Sequence, residues 1–236
     1  MCAARGGDGA VARKSIDAAG DAAASLREAR RERRRSRTRE EILDAARTVL
    51  LRSGVAAMTL DAVATEAGMS KTGLYYYFPS KDALVFELVY AAVDRHAHEV
   101  DDATSKARDG AEAVRAVIGE TVRGFASRID DFRLVFLLSQ VTGDGTLRWT
   151  DEQFARLRPL NDLVLARTTA ILREERRSRP GEAAVDPRLL TFLAFLAALG
   201  VLTMKGMVEQ VNDPLLFSDE QLIEGLSRVF EAALSA

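Results

Sequence analysis

Two short runs of apolar positions at helical spacing stand close together in the first third of the chain: Leu60, Val63, Ala64 and Ala67, then Leu74 and Phe78 four residues apart. Each run has its own start and stop. Thr59 can cap a helix beginning at Leu60, and Asp61 in its first turn suits the positive end of the helix dipole. Gly68 can take the left-handed conformation that ends a helix without a Cβ penalty. Ser70 caps the second run, Pro79 stops it, and Ser80 caps whatever follows. The pattern predicts two helices joined by a tight Ala-Gly-Met turn, a helix-turn-helix.

Downstream, beyond Lys81, the chain reads as helices with their own punctuation. A long helix is expected from Ser80 past His98 through Ala83, Leu84, Leu88, Ala91 and Ala92, with further helices over residues 111–128, 132–141, 151–177, 187–211 and 219–234. Capping boxes, Thr150 with Gln153 and Ser218 with Gln221, mark two of these starts; Asp186 followed by Pro187 marks a third. Residues 189–204 are apolar on every side. That run is 16 residues against the ~20 a bilayer needs, and Arg188 and Lys205 bracket it, so it is read as a buried helix. Ala194, Ala197, Ala198 and Gly200 along it permit close approach of a neighbouring helix, and a self-paired bundle would supply the cover it needs.

The outward side of the second short helix points to nucleic acid. A solvated helix face normally carries Glu, Lys and Gln, whereas this one carries Lys71, Thr72, Tyr75 and Tyr76. Such groups donate to phosphate oxygens and touch base edges in a major groove. A core reading of the tyrosines fails on geometry. Consecutive residues are about 100° apart around a helix, so one face cannot bury Tyr75, Tyr76 and Tyr77 together with Leu74 and Phe78.

Composition narrows the class. With 236 residues, 47% hydrophobic, the chain can bury a sizeable core, and five prolines leave room for an all-helical fold. A single cysteine, Cys2, excludes a disulfide framework and a cysteine-based zinc site, so the expected home is a reducing cytoplasm. The net charge of −2 hides an asymmetry: residues 1–40 hold eleven Lys+Arg against six Asp+Glu, a net of +5, which leaves −7 for the remainder. Most of the excess lies in residues 26–39, LREARRERRRSRTR, with eight arginines and two glutamates. Placed before a DNA-binding helix, such an arm can reach phosphates or a minor groove, or it can be a solvated tail. Residues 1–25 show no apolar period and lack the apolar core of a signal peptide; they are read as a disordered leader.

From Arg37 to Leu88 the chain resembles the DNA-binding domain of the TetR family of transcriptional repressors: a first helix EEILDAARTVLLRSG, a Thr-capped second helix TLDAVATEAG, and the run MSKTGLYYYFPSKDAL. The resemblance implies an all-α fold with a three-helix helix-turn-helix domain over residues 30–81, after a leader at 1–29, and a helical effector-binding and dimerisation domain over 82–236. It places Ser70, Lys71, Thr72 and Gly73 at the entrance to the major groove and Tyr75 and Tyr76 against bases or backbone. Thr59, Tyr77 and Lys81 become phosphate clamps, and Arg37 joins the DNA-binding set. It further implies a homodimer, built by the last two long helices, on a near-palindromic double-stranded operator. A small, apolar effector would enter a pocket among the middle helices, tilt the helix that begins at Ser80, and release the DNA. Phe125, Phe132, Phe136, Gln140, Trp149 and Phe154 are the candidate lining, although each aromatic also fits a plain core role.

Catalysis is not expected. His96 and His98, the only histidines, are two apart and cannot form an i, i+4 ligand pair; no G-x-S-x-G, phosphate loop or H-E-x-x-H occurs, and neither a metal nor a cofactor is implied. Two other readings compete: a helix-turn-helix regulator without a small-molecule effector, constitutive or controlled by a protein partner, and a membrane-attached helical protein using residues 189–204.

Overall fold

The structure, a computed structural model, describes residues 8–137, 147–178, 185–211 and 217–235, with side chains described for 25–136, 147–178, 185–205 and 217–234. Among the described residues it is all helix and divides into two compact units, Met1–Ser80 and Lys81–Ala236.

The first unit holds α1 (Asp8–Ala57), α2 (Leu60–Glu66) and α3 (Lys71–Tyr77). Ile42, Ala46, Val49 and Leu50 of α1 are buried, as are Met58, Leu60 and Val63 and, further on, Leu74 and Phe78, and α2 packs against both α1 and α3. A break at Gly54, with φ +74°, ends the regular part of α1. The caps read from sequence are in place. Ala62 N–H donates to Thr59 Oγ1 at 3.1 Å and Gly73 N–H to Ser70 Oγ at 3.1 Å. At the end of α2, Gly68 has φ +62°, its N–H reaches the Thr65 carbonyl, and Met69 N–H reaches the Ala64 carbonyl. That pair of bonds is a Schellman motif, which satisfies carbonyls the helix leaves open.

One expectation about this unit is corrected. Residues 8–29 are helical rather than without structure, and they run unbroken into the rest of α1. Lack of an apolar period was the wrong criterion here. The segment holds eight alanines and no proline in 22 residues, so propensity alone favours helix.

The second unit holds α4 (Lys81–Ser105), α5 (Gly110–Ala126), α6 (Ile129–Phe132), α7 (Asp151–Ser178), α8 (Pro187–Val211) and α9 (Asp219–Ser235). Helix α5 is central and packs against α4, α7, α8 and α9. Its Val114, Ile118 and Val122 meet Leu172 of α7, Leu190, Ala194 and Ala198 of α8, and Ile223 of α9. A second cluster joins α4 to α7 through Ala97, Val100, Val117, Leu160 and Val164. Ion pairs staple the rim, Arg156 to Glu87 at 2.7 Å and Arg167 to Asp101 at 2.9 Å.

Both predicted capping boxes form reciprocally. Gln153 N–H donates to Thr150 Oγ1 while Thr150 N–H donates to Gln153 Oε1, and Ser218 and Gln221 repeat the arrangement. Asp186 Oδ1 accepts from the N–H groups of Arg188 and Leu189. The expected helix over 132–141 instead starts at Ile129 and widens into a π turn at Arg133–Leu137. Two of the small residues of α8 permit the expected close approach to a neighbouring helix, and that helix is α5. Ala194 and Ala198 are fully buried against α5 within the same chain, so the close approach they permit is not to a second copy.

Candidate functional site

Helix α3 turns Leu74 into the core and leaves Lys71, Thr72, Tyr75 and Tyr76 exposed. Tyr75 is 44% and Tyr76 70% accessible, unusual values for aromatic residues in a helix of a packed domain. Tyr77 is half-buried and takes the edge of Tyr76 at 5.3 Å between ring centroids. Lys71 Nζ lies 2.8 Å from Asp61 Oδ2 of α2, and that hydrogen bond and charge raise its pKa. Both partners face solvent, so the pair is weakly held and the ammonium can be surrendered to a phosphate.

Ser70 and Thr59 each use a lone pair on the cap of a helix, which leaves the hydroxyl proton free to donate. Gly73 is there for space: a Cβ would sit 3.2 Å from Ser70 Oγ and 3.3 Å from Met69 Cε. Its N–H is already bound to Ser70, so its contribution to any contact is through close packing of the cap. Arg37 is exposed and paired with Glu41 at 3.1 Å. Lys81 opens α4 and is half-buried. The structure adds two contacts that sequence could not show: the Arg35 guanidinium lies 5.8 Å over the Tyr76 ring and that of Arg39 lies 5.2 Å over Phe78.

In the second unit a groove of about 920 Å³ runs along α8. Its apolar wall comes from Phe132, Phe136, Phe192, Phe195, Val164 and Leu165, with Leu189, Leu196, Leu199 and Gly200; Asn161, Asp162, Asp186, Arg188 and Thr203 edge it. Asp162 and Arg188 pair across the rim at 2.7 Å. Of the residues predicted to line a pocket, Phe132 and Phe136 do. Phe125 stands behind them, edge-on to Phe136 at 5.5 Å. Trp149 and Phe154 do not belong to the groove: Trp149 packs on Phe86 of α4 at 5.5 Å and Phe154 on Trp149 at 5.8 Å. They face α4 because the helix they introduce, α7, begins there. Gln140 lies outside the described residues. Phe192 and Phe195 were missed because a uniformly apolar run gives no sign of which side stays open.

Next to the groove, His96 of α4 is buried between Phe125, at 4.4 Å, and Phe195, at 6.0 Å. Neither ring nitrogen has a hydrogen-bond partner among the described residues. Burial, and secondly the Arg128 charge, push its pKa down to about 4, so the ring is neutral at pH 7. Arg128 itself pairs with Glu99 of α4, and Arg95 of α4 reaches the buried Asp131 at 2.8 Å. Among the described residues no group of three or more His, Cys, Asp or Glu is arranged to hold a metal ion.

The profile of the bacterial regulatory proteins of the tetR family matches residues 42–88, the span that holds the core of α1, the turn, and α3 with its tyrosines. Residues 42–88 carry the DNA-binding domain of the TetR family of transcriptional regulators. The chain is similar over most of its length to known regulators. It is 28% identical over 197 residues to the HTH-type transcriptional regulator RutR of Escherichia coli, covering 81% of this chain and 87% of that one. Among solved structures, FadR of Bacillus subtilis, in complex with stearoyl-CoA, superposes with a TM-score of 0.61 at 19% identity over 83% of this chain and 97% of that one. A TetR/AcrR family regulator of Thermobifida fusca gives 0.61 at 21% identity, over 81% and 95%. At these identities the structural likeness carries the fold.

Proposed function

We propose that this TetR-family regulator is a homodimeric repressor that binds a near-palindromic operator through α3 and releases it when a small, largely apolar effector occupies the groove along α8. The observation that carries the reading is that groove. Its volume suits a drug-sized molecule, and its wall of phenyl rings and leucines with a few polar groups at the edge is the usual make-up of a small-molecule site. FadR of Bacillus subtilis holds stearoyl-CoA on the same fold. On the DNA side, Tyr75, Tyr76, Lys71 and Thr72 face the major groove, while Thr59, Ser70, Tyr77, Lys81 and Arg37 contribute to phosphate contacts and to the geometry that aims them.

Dimerisation is supported by what α8 and α9 leave uncovered. The stretch Pro187–Lys205 is long and apolar enough to cross a membrane by composition, yet one side of it packs on α5 and α9. Only 33% of it is buried within one chain. Outside the groove, Leu193 and Met204 stay exposed on α8 and Val229 on α9. A Cβ at Gly225 of α9 would meet open space, so a partner helix can come close there. A second copy covers this face without a lipid phase, and two α3 helices then read two half-sites about 34 Å apart. The site of action is the cytoplasm, where the operator is.

The test is a screen of small apolar compounds by thermal melting, with every hit tested for release of promoter DNA. Compounds that raise the melting temperature and release DNA are the expected result, because a ligand shifts an equilibrium only by its differential affinity for the two states. Stabilisation without release uncouples the groove from DNA binding, and a screen that yields neither favours a regulator without a small-molecule effector.

A further inference from the structure

The arginine-rich run before the helix-turn-helix belongs to α1, and its residues 25–37 are exposed along the helix. At 100° per residue, Arg27, Arg30, Arg31 and Arg34 share a sector of about 100°, and Glu28 and Glu32 fall outside it. No ion pair among the described residues neutralises Arg27, Arg30, Arg31 or Arg34. At the end of this sector, Arg35 lies over the ring of Tyr76, the more exposed of the two outward tyrosines of α3. The charged sector therefore begins at the recognition surface and leads away from it. From Arg35 back to Arg27 the helix rises about 12 Å, a length that passes roughly three or four phosphates of one strand.

We propose that the arginine sector of α1 is a second DNA-binding element, which holds phosphates of the duplex flanking the half-site and reads no sequence. The proposal rests on the assignment of Tyr75 and Tyr76 to the DNA-facing surface. A lipid surface is the poorer partner on the same evidence. A membrane-surface helix needs an apolar face opposite its charges, and Leu26 is the single large apolar residue in 26–39. Single-stranded RNA is disfavoured by continuity, since the sector adjoins, through Arg35 and Tyr76, the helix assigned above to a duplex groove.

Its test uses the full chain and the variant R27Q/R30Q/R31Q/R34Q, titrated onto a mixed-sequence duplex of about 30 base pairs by fluorescence anisotropy between 50 and 200 mM salt. Glutamine matches arginine in helix propensity, and circular dichroism checks that α1 persists. With about 0.9 of slope per neutralised phosphate, the slope of log K against log salt should fall by roughly 3–4, and the loss of wild-type affinity over that salt range should shrink by roughly 100-fold. Lysine at the same four positions should restore the slope. Y76A, which removes no charge, should keep it. An unchanged slope in the glutamine variant, with its helix intact, overturns the proposal while leaving α3 as the DNA reader. Absence of any duplex binding by the wild type would overturn the α3 assignment itself. A loss of binding to phosphatidylserine vesicles or single-stranded RNA with duplex binding unaltered would give the sector to another partner.

Discussion

Replacing Leu193 by aspartate separates the dimer from the fold and from the groove. Leu193 is 42% accessible in the single chain and does not line the groove, whereas its neighbours Leu189 and Leu196 do. Fully burying a leucine side chain is worth about 1.5–3 kcal/mol, so covering the exposed part of Leu193 adds roughly 1 kcal/mol. A two-fold axis counts it twice, giving about 2 kcal/mol for the dimer. Aspartate loses that term and also places two unpaired carboxylates in an apolar contact, which adds several kcal/mol more. A total of about 5 kcal/mol weakens association by more than a thousandfold. Native mass spectrometry or light scattering at micromolar protein should show a folded monomer, with operator affinity reduced because two half-sites can no longer be read together. Ala194→Asp supplies the contrast. Ala194 is fully buried against α5, so the charge there should unfold the second unit instead of dissociating it. A stable dimer of the Leu193→Asp protein would refute the placement of the interface on this side of α8.

Tyr76→Ala should weaken specific DNA binding by roughly 1–3 kcal/mol and leave the melting temperature unchanged, since the ring is mostly solvent-exposed; an unaltered gel-shift titration would remove Tyr76 from the groove. Phe192→Ala should abolish the thermal shift given by any screened ligand while preserving DNA binding, and a retained shift would put that ligand outside the groove along α8. The fluorescence of Trp149 should respond little to such a ligand, because the indole packs on Phe86 rather than on the groove wall. Acid should destabilise the fold through His96. Its folded pKa of about 4 lies below the ordinary 6.5, so the stability held above pH 6.5 is lost as pH falls toward 4, by about 2 kcal/mol between pH 7.5 and 5. Denaturant titrations of His96→Leu at those two pH values should show a correspondingly smaller difference than wild type, and an equal difference would mean that the ring is not held neutral by burial.

What the sequence settled alone is local. A cap is an interaction between residues three apart, so Thr59, Ser70, the Thr150–Gln153 and Ser218–Gln221 boxes and Asp186 could be read without knowing what packs where. The exposure of Tyr75 and Tyr76 was legible for a similar reason, because burying Leu74 and Phe78 fixes the rotation of the helix and leaves the tyrosines no core to enter. Helix α8 shows where this ends. A helix apolar all round carries no polar face to mark its orientation, so nothing local told Ala194 and Ala198, which pack on α5, from Leu193, which stays free, or from Phe192 and Phe195, which wall the groove. Likewise Phe132, Phe136 and Val164 share a wall with α8 only because α5 holds α7 and α8 beside one another. Trp149 and Phe154 had the composition of a binding site, but the start of α7 lies against Phe86. Which apolar surface meets core, ligand or partner is a property of the packed helices, since burial depends on neighbours that sequence separation does not reveal.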